Sequence, residues 1–179
     1  MRTDEMPMLL AETGAVNDCH SGEFRYYSAD DRGIIFVDCV YTPFFAGSAG
    51  CGNIWHWDRR YVESKNLYHL FKPLSSLLEG VDLDGEAFTP ADLSNDNAYV
   101  LVLKGKTTAL GFVRNKSDNW MNTLRDMNEP CPVDVDLEIQ GKSFILYPIW
   151  EDDTSGLVWQ EGRVKIENVL YGTLFKVEH

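Results

Sequence analysis

Apolar residues along this chain fall into two regimes, separated by the acidic, turn-rich segment Gly80 to Asn97, which has no periodicity. Before it, short apolar runs take turns with stripes at helical spacing. The first run, Met8-Leu9-Leu10-Ala11, follows Pro7 and ends in Glu12-Thr13-Gly14. Such a run predicts a strand buried on both faces, as in parallel sheets, with an acidic residue at its end. Thr13 to Ser28, with Gly14, Asn17, Asp18, Ser21 and Gly22, reads as a long loop. Ser28 then reads as an N-cap, with Asp30 and Asp31 in the first turn, where the helix dipole favours negative charge. Ile34, Val37, Tyr41, Phe44 and Ser48 share one stripe; Pro43 predicts a kink, and Gly47 and Gly50 mark the end. Cys51 to Asp58 predicts a second strand, with Trp55 and Trp57 on one face and His56 on the other. Ser64 or Asn66 caps a second helix whose apolar side is Leu67, Leu70, Phe71, Leu74, Leu77 and Leu78. Pro73 kinks it and Gly80 stops it.

The order strand, loop, helix, repeated twice, is the unit of a parallel α/β sheet. Two strands and two helices do not bury both faces of a sheet, and two-stranded sheets are marginal in water. Residues 1–82 therefore read as a piece of a larger barrel or as something that associates. Past the linker 83–97 the pattern changes to apolar-rich strands. Tyr99 to Lys104 and Thr107 to Arg114 form a hairpin about Gly105-Lys106. Val133, Val135, Leu137 and Ile139 face one way, and Asp134, Asp136 and Glu138 the other. Further strands are predicted at Ser143 to Trp150, Leu157 to Gln160, Arg163 to Glu167 and Thr173 to Val177, punctuated by Gly141, Gly156, Gly162 and Gly172. The fold class expected is α/β plus all-β: a partial (β/α) barrel segment of two βα units, then an antiparallel β-sandwich of about seven strands over residues 98–179.

Charge narrows the functions. The chain has 16 Lys and Arg against 28 Asp and Glu, a formal net charge of -12. That disfavours nucleic acid, whose affinity rests on cations neutralising phosphates, and anionic membrane surfaces. No apolar run approaches the roughly 20 residues of a membrane helix, and Met1 to Pro7 lack a signal-peptide pattern. Cys19, Cys39, Cys51 and Cys131 have neither CxxC nor His spacing suited to zinc, so neither metal nor cofactor is expected. Scattered thiols of this kind are usually unpaired; a Cys19–Cys51 disulfide is the alternative. The aromatic share is 12%, which leaves rings to face a ligand.

Pro7-Met-Leu-Leu-Ala-Glu12-Thr-Gly resembles the seventh strand of retaining (β/α)8-barrel glycoside hydrolases of the cellulase and mannanase superfamily. Ala46-Gly-Ser-Ala-Gly-Cys-Gly-Asn-Ile-Trp55-His-Trp57-Asp58, followed by Asn66-Leu-Tyr68-His-Leu-Phe71, is similar to the eighth strand and helix of that superfamily's less-characterised branches. Those branches often carry a C-terminal β-sandwich with a phrase similar to Ala109-Leu-Gly-Phe-Val-Arg114-Asn115-Lys-Ser-Asp-Asn-Trp120. The resemblance spans nearly the whole chain. It implies that Glu12 is the nucleophile of a double-displacement mechanism, and that Trp57 and Trp55 floor a sugar subsite with Asp58 meeting hydroxyls at its rim. Barrel core is the competing use of the tryptophans, and helix packing is the expected use of His56.

A retaining hydrolase also needs a second carboxyl about 5 to 5.5 Å from the nucleophile. In this superfamily it comes from the fourth strand, upstream, usually within Asn-Glu-Pro. Here Asn128-Glu129-Pro130 lies downstream, between predicted sandwich strands, and reads as a chance match. The resemblance thus implies the C-terminal part of a hydrolase of β-linked poly- or oligosaccharide that is inactive alone. Its expected partners are carbohydrate and either copies of itself or the missing barrel half. A carbohydrate-binding or structural β-sandwich, with Trp120, Trp150 and Trp159 as a platform, is the alternative.

Overall fold

The structure, a computed structural model, describes residues 7–20, 22–160 and 163–179; Ser21 in the predicted first loop and Gly162 between two predicted strands lie outside the described residues. In chain order the elements are α1 (Ile34–Phe45), α2 (Phe71–Leu78), the single turn α3 (Leu83–Glu86), β1 (Thr89–Asp92), β2 (Ala98–Lys104), β3 (Thr108–Asn115), β4 (Val133–Leu137), β5 (Ser143–Pro148), β6 (Gly156–Gln160), β7 (Arg163–Val169) and β8 (Gly172–Glu178). Tight 3-10 turns at Tyr27–Ala29 and Leu67–Leu70 and a wide turn at Trp120–Arg125 complete the set.

The strands make two antiparallel sheets, of five strands in the order β1-β2-β3-β8-β5 and of three in the order β4-β7-β6. They face each other across Val100, Val102, Ala109, Val113, Phe175 and Val177 on one side and Val135, Leu137, Val164 and Ile166 on the other. The alternation read between Val133 and Ile139 is what places Val135 and Leu137 in this layer and Asp134 and Asp136 in solvent. The other face of the five-stranded sheet carries Leu103, Leu110, Phe112 and Leu174, which join Val37, Tyr41, Phe45, Leu74 and Leu77 of α1 and α2 in a second core. Phe112 lies 5.7 Å from the ring of Tyr41 and 5.6 Å from that of Phe45. Strand β3 is accordingly buried on both faces.

The linker 83–97 turns out to be structured. It contributes α3 and the edge strand β1, with Thr89 opposite Lys104 and Asp92 opposite Leu101. Pro90 hid this strand from the sequence, yet proline is tolerated at a sheet edge, where its missing N–H costs no ladder bond. Helix α1 starts later than the Ser28 cap implied. Asp30 takes the capping role: its carboxylate accepts the N–H groups of Ile34 at 2.8 Å and Ile35 at 2.9 Å. Gly33 precedes the helix at φ 75°, where a Cβ would sit 2.5 Å from Leu70 Cδ1. In the second helical segment Pro73 falls in the first turn of α2, where no intrahelical acceptor awaits an N–H. The chain therefore changes from 3-10 to α geometry at Phe71 rather than kinking.

A barrel segment of two βα units is not present among the described residues. The two predicted parallel strands meet at one parallel bridge, Thr13 to Ile54. Thr13 N–H donates to Asn53 O at 2.7 Å, Trp55 N–H to Thr13 O at 2.7 Å, and Asn53 N–H to Leu10 O at 3.3 Å. The expectation that the Met8 run is buried on both faces is corrected: Met8, Leu9 and Leu10 are 48%, 56% and 49% exposed. The physical reason is one-sided pairing, since residues 8–13 bond residues 48–55 along one edge and meet no strand along the other among the described residues.

Candidate functional site

The bridge at Thr13 and Ile54 sets Glu12 beside the tryptophan strand. Ile54 and His56 turn inward and are buried, and Trp55 and Trp57 turn outward, 41% and 66% exposed. Ala11, Glu12, Asn53, Ile54, Trp55, Trp57, Asp58 and Arg60 line one cleft of about 520 Å³. All four residues singled out from the sequence, Glu12, Trp55, Trp57 and Asp58, thus share one surface depression. Its size lies in the range of small-molecule sites. The Glu12 carboxylate is exposed.

Asp58 is partly committed to its own loop. Its Oδ1 accepts Arg60 N–H at 3.1 Å, and its carbonyl accepts the N–H groups of Tyr61 and Glu63. The Arg60 Nε lies 3.9 Å from Asp58 Oδ2, an exposed and weak pairing. Tyr68 steadies the strand end by donating its hydroxyl to Trp57 O at 3.2 Å. Glu129 lies exposed in the loop before β4 and is not among the residues lining this cleft.

Behind the tryptophans runs a buried polar chain that sequence reasoning missed. Tyr27 donates its hydroxyl proton to Ala15 O and stands 3.2 Å from His56 Nδ1. Because Tyr27 has one proton and gives it to the carbonyl, Nδ1 carries the imidazole hydrogen and donates it to the Tyr27 oxygen. Tyr27 stacks on Tyr61, with ring centroids 4.0 Å apart, and Tyr61 donates to Asp30 Oδ2 at 2.5 Å. Burial pushes the Asp30 carboxyl above its ordinary range in spite of these donors. It pushes the hydroxyls of Tyr61 and Tyr27 well up too, with Asp30 adding to both shifts. The chain ties the loop after Glu12, the cap of α1 and the strand of Trp55 and Trp57 into one unit. His56 is buried, and its ring meets Tyr27 of the 3-10 turn edge to face at 5.5 Å. Its Nε2 is buried with no partner among the described residues.

A second, larger cleft of about 700 Å³ opens between α1 and strands β2 and β3. Gly14 and Ala15, two and three residues after Glu12, form one border, and Asp38, Thr42, Tyr99, Phe112, Arg114 and Trp120 are among its walls. At one end sits an ion-pair network. Arg114 donates Nε–H to Asp38 Oδ1 at 2.8 Å and Nη1–H groups to Asp118 Oδ2 and Tyr171 O, each at 2.7 Å. Arg32 reaches Asp118 from the other side, at 2.6 Å and 3.1 Å, and stacks on Tyr171 at 3.8 Å. Burial pushes Asp118 up, but the bonds and charges of Arg32 and Arg114 outweigh it and hold the carboxyl below its ordinary range. Desolvation lifts the Asp38 carboxyl above its ordinary range, with Arg114 pulling the other way. The signal in the sequence was the Arg114 to Trp120 stretch, in which Arg114 and Asp118 form this corner and Asn119 and Trp120 line the cleft.

The three tryptophans considered as a sandwich platform do not assemble. Trp150 is 5% exposed and donates its indole N–H to Arg32 O at 2.8 Å. Trp159 is exposed on β6, in the three-stranded sheet. Trp120 stands at the second cleft against Phe24 and Tyr26, with centroids 5.2 Å and 5.6 Å away. The four thiols are unpaired, and burial pushes that of Cys39 up to about 12. No protein-family model and no curated protein matches the chain.

Proposed function

We propose that this chain is the C-terminal part of a retaining glycoside hydrolase acting on β-linked poly- or oligosaccharide, with Glu12 as nucleophile and Trp55, Trp57 and Asp58 bounding the sugar subsite. One observation supports the reading above the others: Glu12 and the two outward tryptophans border one cleft, joined by a parallel bridge. In this reading the Glu12 carboxylate attacks the anomeric carbon, the bond to the leaving oxygen breaks with its electron pair, and water later hydrolyses the glycosyl ester. An aromatic plane suits the C–H face of a pyranose. The acid that protonates an ordinary leaving group lies outside this chain, so ordinary glycosides are not hydrolysed by it alone. In this reading the edge of residues 8–13, which meets no second strand among the described residues, is paired by a partner, either the remaining barrel units or a second copy.

The chemistry offers a test that bypasses the missing acid. A 2,4-dinitrophenyl 2-deoxy-2-fluoro-β-glycoside has a leaving group that departs without protonation, and its fluorine slows hydrolysis of the ester. Gluco-, manno- and xylo-configured reagents are incubated with the chain and the products mapped by mass spectrometry. The expected result is one glycosyl addition on the peptide containing Glu12, absent in Glu12→Gln. Addition elsewhere, or equal labelling of the variant, overturns the assignment.

A further inference from the structure

The cleft between α1 and β2–β3 has a wall chemistry that the fold does not use up. Its sides are mainly apolar and include the exposed ring of Tyr99, one face of which carries Lys116 Nζ at 4.7 Å, and the half-buried ring of Trp120. At its end Arg114 is 3% exposed and spends Nε and Nη1 on Asp38, Asp118 and Tyr171. Its Nη2 is buried with no partner among the described residues. Beside it Asp38 engages Oδ1 with Arg114, and Oδ2 has no donor among the described residues. A buried guanidinium N–H without an acceptor is destabilising. An occupant that presents an acceptor to Nη2 and a donor to Asp38 removes that cost. A hydroxyl group does both, and a sugar ring adds an apolar C–H face for Tyr99 and Trp120.

We infer that this cleft is a second carbohydrate-binding site, holding a neutral sugar unit between Tyr99 and Trp120 with its hydroxyls on Arg114 and Asp38. The inference shares with the proposed function the premise that the ligand is a glycan. It concerns a different cleft, lined by Gly14 and Ala15 rather than by Ala11 and Glu12. At about 700 Å³ the space falls within the size of ordinary ligand pockets.

The test measures binding of β-1,4-linked tetraoses of glucose, mannose and xylose to the full chain by saturation-transfer NMR and intrinsic fluorescence. Four proteins are compared: the parent chain, Tyr99→Ala, Asp38→Asn and Trp57→Ala. Tyr99 is 52% exposed, so its truncation leaves the core intact. Asp38→Asn keeps an oxygen for Arg114. The expected result is, for at least one tetraose, a binding event whose affinity falls tenfold or more in Tyr99→Ala and fivefold or more in Asp38→Asn, and which persists in Trp57→Ala whatever Trp57-dependent binding is lost there. Loss in Trp57→Ala alone overturns the second site and leaves the Glu12 cleft as the sugar site. Absence of binding by every tetraose also overturns the second site, while the covalent labelling of Glu12 decides the proposed function separately.

Discussion

At the scale of single residues, the strongest physical demand in the molecule is the cluster of Arg32, Arg114, Asp38 and Asp118. Asp118 is 1% exposed and compensates two guanidinium groups at once. Removing it by Asp118→Ala leaves Arg114 buried and half paired, which costs on the order of 3–5 kcal/mol and is read from urea unfolding at pH 7. The pH dependence has a defined sign. The folded carboxyl of Asp118 is held below the unfolded value of about 3.9. Its contribution is therefore complete above the unfolded value and is lost as pH falls through the lower, folded one. Asp30 acts oppositely: burial raises its folded value, so acidification protonates it in the folded chain first and offsets part of that loss. Stability measured from pH 7 down to pH 2.5 is expected to fall less steeply for Asp118→Asn than for the parent chain. Parallel curves for the two proteins exclude Asp118 as a source of the acid slope.

Elements were legible where one physical signal dominated. Apolar-rich runs with glycine punctuation located β2 to β8, and clean period-two alternation marked β4, which buries Val135 and Leu137 and exposes Asp134 and Asp136. Outward Trp55 and Trp57 flanking inward His56 followed from the same alternation. Elements governed by tertiary partners were not legible. Nothing local says that Asp30 rather than Ser28 caps α1, because the choice depends on Tyr61, 31 residues away, donating to the same carboxylate. Burial of Met8 to Leu10 was misjudged because a run of apolar residues reports the need for a neighbour, not its presence. The register between β3 and β8 is a further tertiary choice, and it gives a sharp prediction. Gly111 pairs with Phe175, whose ring lies across it, and a Cβ on Gly111 would meet ring atoms at 1.9 Å and 2.1 Å. Gly111→Ala is expected to destabilise by about 1–3 kcal/mol or more, as overpacking of a full core does. A double variant with Phe175→Leu recovers part of the loss. Non-additive free energies in the cycle of the two substitutions verify the contact, and strictly additive values refute it.

On the scale of the whole molecule, the sequence suggested a break between an N-terminal segment and a sandwich, while the packing joins them. The five-stranded sheet needs a cover on each face. The three-stranded sheet supplies one, and α1 and α2, together with Tyr61, Val62 and Leu67, supply the other. Without residues 1–82, Leu103, Leu110, Phe112 and Leu174 lose that cover, and a fully exposed Leu or Phe side chain forfeits about 1.5–3 kcal/mol of burial. Arg114 loses Asp38 and Asp118 loses Arg32 in the same cut, which leaves two buried charges half compensated. A polypeptide of residues 83–179 is therefore expected to self-associate and bind hydrophobic dyes. The intact chain, whose larger core is shared across the suggested break, is expected to unfold as a single cooperative unit. Urea curves followed by far-ultraviolet circular dichroism, which reports mainly the sheets, and by tryptophan fluorescence, which includes Trp55 and Trp57 of the N-terminal segment, should coincide in midpoint and slope. Two separated transitions, with residues 83–179 reproducing one of them, would divide the molecule where the sequence pattern changes and reduce the shared core to a contact between independent domains.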